Sequence, residues 1–411
     1  MNRIIVSAGL MAVGVAGVQA ANTADLSPSE TSKPWSISAS LRAFYDDNWN
    51  TANKNVAPGP QESFGIEVKP AASIYYLPND QTYLGAAYVY SMKWFEGRKD
   101  HSIDQSHELT LKADHRFSER FRINLNDNLV YAQEPDIIEP TGAQSLFARA
   151  NGNVFRNRAA IKLNSQITER TELESGYQNA YYDYKDPIYS STLDRDEHII
   201  WLDGIYHLQE HFSALIGYQL HYFDYMDELK SKDDSIGHSI YVGARKSITQ
   251  QLNVEGKVGV QLTHYMHKTS SALVERDQDE FGPYVDASAS YEYLPGSSFK
   301  VGVNVTRVPS DIIGATDQES EAIYAQLSHK VTANLTASLV GQFQHNTLHA
   351  PGFPGLDNAK DNDLLLGLNF DYKINNNLSA EAGYNFDRLD ADLPGRSYTR
   401  NRVYAGIRAS Y

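Results

Sequence analysis

Histidines and closely spaced aspartates are the side chains here with the right chemistry for catalysis or metal binding. His101, His107, His264, His267, His345 and His349 each lie near an Asp or Ser in the sequence. A nucleophile–base set built on them is one reading. The other is that histidine, part apolar and part polar, sits at strand ends where two environments meet. Asp361/Asp363 and Asp390/Asp392 have the spacing of paired oxygen ligands for a hard cation, and they also read as solvated loop charges. No H-E-x-x-H, phosphate-binding glycine loop, dinucleotide fingerprint or EF-hand loop occurs. The expectation is a non-enzymatic protein with no cofactor and no resident metal.

More charge sits in alternating rows. Arg42, Glu67, Lys69, Glu108, Lys112, Arg116, Arg122, Arg158, Asp203, Arg245, Glu255, Lys257 and Arg408 each fall opposite a row of apolar residues at every second position. Period-2 alternation is the signature of a strand with two unlike faces. Further members of the rows are mostly acidic, among them Asp114, Glu172, Glu174, Asp286, Glu292, Asp371, Glu381 and Asp387, so the signs nearly balance and the formal net charge of −15 lies mostly in the connections. A stiffening network of mutually paired side chains is one reading of such a row. A polar wall facing water is the other, and both can hold together.

The elements that would carry these rows recur about eighteen times between Trp35 and Tyr411. Short turns, as at Leu77–Gln81, alternate with longer polar loops. A soluble sandwich has no reason to gather every short turn at one end. A transmembrane barrel does, with short periplasmic turns and longer external loops. An even strand number puts both termini on the periplasmic side. Nothing after residue 20 is apolar over the roughly 18 to 20 residues a membrane helix needs. Mean hydropathy of −0.47 is compatible with a barrel, where only alternate residues must be apolar.

Residues 1–20 read as a secretory signal, with Arg3, an apolar stretch and Val18-Gln19-Ala20 as the cleavage pattern. Residues 21–34 form a short polar arm, and 35–411 the barrel. The chain has no cysteine, so neither a lipid anchor nor a disulfide is available. An acidic chain is a poor ligand for nucleic acid.

Two stretches, Leu41-Arg-Ala-Phe-Tyr-Asp-Asp-Asn48 and Asp127-Asn-Leu-Val-Tyr-Ala-Gln-Glu-Pro-Asp136, together with the whole-length pattern, resemble the family of bacterial outer-membrane proteins called Putative beta-barrel porins. The resemblance implies an outer-membrane β-barrel of porin type and carries no assigned functional residues.

The expected architecture is therefore an all-β, antiparallel, up-and-down transmembrane barrel. Its partners would be outer-membrane lipid, the barrel-assembly machinery and small hydrophilic solutes crossing by passive diffusion. A non-conducting surface protein whose loops bind a partner is the alternative. Acidic loops would give a weak preference for cations. Ile137, Ile138, Leu146 and Phe147 lie in the longest loop, which either folds inward as a constriction or packs over its neighbours. Asp127 on an apolar row, and Pro70 and Pro283 within strands, fit poorly and suggest bulges or a register error.

The last strand ends on an aromatic residue, with Val403, Ala405, Ile407 and Tyr411 on its apolar row. An unpaired terminal strand is an edge hazard, so its expected partner is Trp35–Asp46, closing the barrel. Deleting Tyr411 is expected to lower outer-membrane levels more than it changes the conductance of the protein that does assemble. Normal membrane levels would argue against a targeting role.

Overall fold

Alternating rows become a ring. The computed structural model describes residues 33–99, 101–133, 154–226, 232–266, 279–310, 312, 314–350, 353 and 355–411. Residues 1–20 and the loop residues Ile137, Ile138, Leu146 and Phe147 lie outside this set.

Eighteen antiparallel strands form one sheet. They are β1 (Trp35–Asp46), β2 (Ser63–Asn79), β3 (Thr82–Phe95), β4 (Ile103–Ser118), β5 (Phe121–Ala132), β6 (Val154–Gln166), β7 (Thr171–Tyr184), β8 (Arg195–Gln209) and β9 (Phe212–Tyr225). Next come β10 (Asp234–Ser247), β11 (Leu252–Met266), β12 (Asp279–Leu294), β13 (Ser297–Pro309), β14 (Asp317–Lys330), β15 (Leu335–His349), β16 (Lys360–Lys373), β17 (Leu378–Ala391) and β18 (Tyr398–Ser410). A short helix, α1 (Pro187–Leu193), lies between β7 and β8, in a stretch expected to be plain loop.

Every strand pairs with its sequence neighbours, and β1 pairs with β18, with Leu41 opposite Ile407 and Ala43 opposite Ala405. Tyr411 completes this seam. Its N–H donates to the Ile37 carbonyl at 2.9 Å, its carbonyl accepts from the Ile37 N–H at 3.1 Å, and its ring lies 5.7 Å from that of Trp35. The connections at one end leave two to four residues between strands, and those at the other end are longer.

Closure sorts the side chains. On β1, Ile37 and Leu41 are half-exposed on the outside, while Ser36, Ser40, Arg42 and Asp46 are buried. The same alternation runs through β8, where Ile200 and Leu202 face out and Trp201 and Asp203 are buried. Among the described residues, no helix is long and apolar enough to cross a membrane, which says nothing of crossing by strands.

Three misfits resolve without a bulge. Asp127 keeps register with Leu111 and Ala159, and the Asn157 amide donates to its carboxylate at 2.6 Å. The charge is thus on the outer row, as the alternation says, and is held by a neighbour. Pro70 pairs with Ala39, and the β2–β3 ladder resumes after it in the same register. Pro283 pairs with Val260 of β11, but the ladder from β12 to β13 begins only at Val285–Val305. Its missing N–H therefore costs no ladder bond on the β13 side.

Inside the ring, glycines receive aromatic rings from the next strand. Phe44 covers Gly65, Trp201 covers Gly176, Tyr241 covers Gly217, Tyr324 covers Gly302 and Tyr404 covers Gly383. Each pair is directly opposed in its ladder. A ring laid flat on the sheet needs a position without a side chain beneath it. A Cβ at Gly383 would stand 2.3 Å from Tyr404 Cζ. Gly383→Ala is expected to destabilise the barrel by roughly 1–3 kcal/mol through overpacking, read as a lower temperature for heat-modifiable gel migration. An unchanged temperature would show that Tyr404 moves aside without cost.

Candidate functional site

The interior of the barrel gathers every charged residue expected on its wall. Arg42, Glu67, Lys69, Glu108, Lys112, Arg116, Arg122, Arg158, Asp203, Arg245, Glu255, Lys257 and Arg408 all lie on the inward-facing rows of their strands. They differ in what they present. Lys112 and Arg116 are exposed, and Lys69, Glu108, Arg122, Arg245 and Glu255 are partly so. Arg42, Glu67, Arg158, Asp203 and Lys257 are buried by their neighbours.

Burial forces pairing, because an unpaired charge removed from water is costly. Arg42 sits at the centre of the closing seam. Its guanidinium donates to both oxygens of Glu381, at 2.7 and 2.9 Å, and to Glu67 at 3.2 Å. Ser91 donates to the other Glu67 oxygen at 3.0 Å. One arginine thereby ties β1 to β2 and, past β18, to β17. Nearer the loop end, Arg400 and Arg402 converge on the fully buried Asp46 at 2.7 Å each. Arg408 pairs with Asp371.

A second cluster spans β6 to β12. Lys162 pairs with Glu174 at 2.8 Å, and Arg245 bridges Glu174 and Glu255 at 3.4 and 3.0 Å. Lys257 reaches Asp203 at 2.8 Å, three strands away in ring order, and Tyr241 donates to the same carboxylate at 2.6 Å. Tyr241 and Tyr284 stack at 4.9 Å over Ile205 and Leu215. This flank of the lumen is thickened by side chains.

Charge is segregated around the ring. The inner rows of β2–β6 carry Lys69, Lys93, Lys112, Arg116, Arg122, Arg156, Arg158 and Lys162 against Glu67, Asp104, Glu108 and Asp114. Those of β7–β12 carry Glu172, Glu174, Glu197, Asp203, Glu255, Glu280, Asp286 and Glu292 against Arg195, Arg245 and Lys257. A basic flank next to an acidic one makes a field across the lumen. The rows balance in sign when summed over the whole ring, and the segregation shows only when they are taken strand by strand.

The loop end holds residues that the sequence reading did not single out. Above Val285 and Val305, β12 and β13 are not laddered. The tip of the β13–β14 hairpin crosses over β12 to inner-row residues of β11. Thr306 donates to the Gln261 side-chain oxygen at 3.0 Å, and the Arg307 backbone N–H donates to it at 3.3 Å. Tyr265 donates to Asp317, and Tyr225 of β9 to the Thr316 carbonyl at 2.8 Å. Behind the tip, Ala315, Leu348, Ala350 and Ala359 form a small apolar cluster.

The histidines lie in separate contacts around the barrel. His107 accepts or donates with Tyr88 at 2.7 Å beside Tyr131, on the outer face. His264 meets Asp279 at 2.7 Å and His345 meets Asn362 at 2.8 Å, also on outer rows. His349 stacks on Tyr265 at 4.8 Å near Glu280. His101 lies outside any strand, and His267 outside the described residues. His207 does stand between Ser213, at 2.8 Å, and Glu172, at 3.6 Å, on inner rows. Asp361 is held by Arg396 at 2.9 Å, and Asp392 accepts from the Lys360 N–H at 3.0 Å. Among the described residues, no three His, Asp or Glu are grouped to hold a metal ion.

Removing Arg42 strands two buried carboxylates. Arg42→Ala is expected to cost roughly 3–5 kcal/mol of barrel stability, with Arg42→Lys recovering part of it. Urea unfolding in detergent measures this, and equal midpoints for all three proteins would refute the pairing argument.

Residues 210–411, from the turn before β9 to the C-terminus, match the sequence family described as Putative beta-barrel porin 2. No curated protein matches the chain. Solved structures similar to it include a BenF-like porin from Pseudomonas fluorescens Pf-5, at 13% identity over 92% of this chain and 99% of that chain, with a TM-score of 0.49. OccAB4 of Acinetobacter baumannii matches at 10% identity over 94% and 100%, with a TM-score of 0.46. The outer membrane protein opdK from Pseudomonas aeruginosa matches at 11% over 92% and 99%, with a TM-score of 0.44. This closed ring of eighteen antiparallel strands has the architecture of an outer-membrane β-barrel, and its residues 210–411 match the Putative beta-barrel porin 2 family.

Proposed function

We propose that the barrel is a channel through which small hydrophilic solutes diffuse passively. The segregated charge on its inward rows carries this reading. A barrel serving only as an anchor needs its inner charges paired, and any paired arrangement would do. Here Lys112 and Arg116 are exposed on the basic flank, while on the acidic flank Glu174, Glu197 and Asp203 are buried and Glu292 is exposed. A ring of eighteen strands is also wider than wall side chains alone fill. Solutes would cross beside β3–β5, with the transverse field orienting those that carry a dipole or a charge. The acidic loops would act at the mouth and the basic flank deeper in, so salt should weaken both.

In planar bilayers the purified protein is expected to give stepwise conductance. Replacing Lys112 and Arg116 together by Gln should shift the reversal potential in a salt gradient toward cation preference, by an amount that shrinks as salt rises. Silent bilayers at high protein loading would reject the channel and favour the surface-protein alternative.

A further inference from the structure

On the outer face, polar groups keep to the ends of the strands. Tyr88, Tyr177 and Tyr218 each meet the Nδ1 of a histidine nearer the loop end of the next strand, His107, His198 and His238, at 2.7, 2.8 and 2.7 Å. Outer-row Asp183, Asp196, Asp224, Glu321 and Arg388 likewise stand toward loop ends, and Lys246 stands at a turn end. Asp127 is different. It lies in the middle of β5, opposite Leu111, which is farther from the loop end of β4 than His107. Among the described residues it is the one outer-row Asp, Glu, Lys or Arg at mid-strand. A charge facing hydrocarbon at that depth is costly, and hydrocarbon offers it neither donor nor acceptor.

A polar notch surrounds this carboxylate. Ala159 of β6 stands on one rung between Asp127 of β5 and Asn179 of β7, with Asn157 beside it on the loop side. Asn157 donates to Asp127 Oδ1 at 2.6 Å, and Asn179 donates to Asp196 at 2.7 Å. Asp127 Oδ2 and the second N–H of Asn157 have no hydrogen-bond partner among the described residues. A small residue lets a second backbone come close in lipid, and polar groups around it can then bond across the contact. The notch holds an unused acceptor and an unused donor together, so it is complementary to itself, as a two-fold contact requires.

We infer that two copies of this barrel pair in the membrane through the β5–β7 face, on a two-fold axis at Ala159, with Asp127 of each copy accepting from Asn157 of the other. The pairing needs the barrel to lie in a membrane and does not need it to conduct.

The chain has no cysteine, so one introduced thiol reports alone. A two-fold axis sets Ala159→Cys against itself, and oxidation in isolated membranes should convert it to a disulfide-linked band of twice the mass that contains only this chain. Phe343→Cys, exposed on the outer row of β15 on the opposite side of the ring, should stay monomeric. Adding Asp127→Leu to Ala159→Cys should abolish the dimer band while heat-modifiable migration stays normal, because leucine suits lipid. Asn157→Leu carries the same measurement if Asp127→Leu does not assemble. Cross-linking of Ala159→Cys no greater than that of Phe343→Cys overturns the pairing and leaves Asp127 to lipid. A dimer band indifferent to both leucine substitutions overturns it as well. Capture of a different polypeptide, lost with Asp127→Leu, would give the face to that polypeptide and overturn the second copy. None of these outcomes bears on conduction.

Discussion

Hydrocarbon offers no partner for a peptide group, so a sheet in a membrane must satisfy both edges of every strand from within. For this chain that constraint is met at one seam, where Tyr398–Ser410 returns to Trp35–Asp46. The remaining structure follows from it. Once the ring is closed, alternate residues must face lipid, and the residues between them must face inward. Outward rows are mostly apolar and aromatic because charge is costly against lipid. Inward rows keep their charges, which then pair because neighbouring strands exclude most of the water. Arg42 expresses both demands, since it holds Glu67 and Glu381 on the two sides of the seam.

The same constraint explains where regularity gives way. Above Val285–Val305 the chain stands at the loop end, where water and loops can satisfy peptide groups in place of a ladder. Pro283 is tolerated there and would be damaging lower down. The N–H of Arg307, turned away from a β12 ladder, is taken by the Gln261 side chain instead. A break in backbone pairing is thus matched by a polar side-chain cluster, which is why Glu280, Asp317 and Arg307 accumulate at that point.

Much of this was legible in the sequence, and the exceptions share a cause. The rows, the short turns at one end and the closing pair follow from period-2 alternation and parity alone. β12 and β14, however, start at Asp279 and Asp317, ahead of the apolar rows that mark them in the sequence. Pro283, Arg307, Glu319 and Glu321 interrupt the apolar pattern, so the strands seemed to stop where the lipid does. The hairpin tip was hidden for the same reason. Asp127 was read as an error because the alternation says nothing of Asn157, whose amide sits beside it only once β5 and β6 are in register. The helix Pro187–Leu193 is too short to show a period.

Knowing which residues point inward does not say which of them a solute would meet. Arg42, Asp203 and Lys257 are on the right rows and yet are buried, each held by partners from strands one to three places away. Such residues set the shape of the wall. Their substitution would act through stability, by leaving a partner charge stranded, before it acted on any passing ion. Lys112 and Arg116 are on the same kind of row but are exposed, so their charge stands where a solute in the lumen can meet it. Selectivity should therefore track the few exposed inner charges near β4 and stability the many buried ones near the seam, although the two sets are indistinguishable by residue type or spacing.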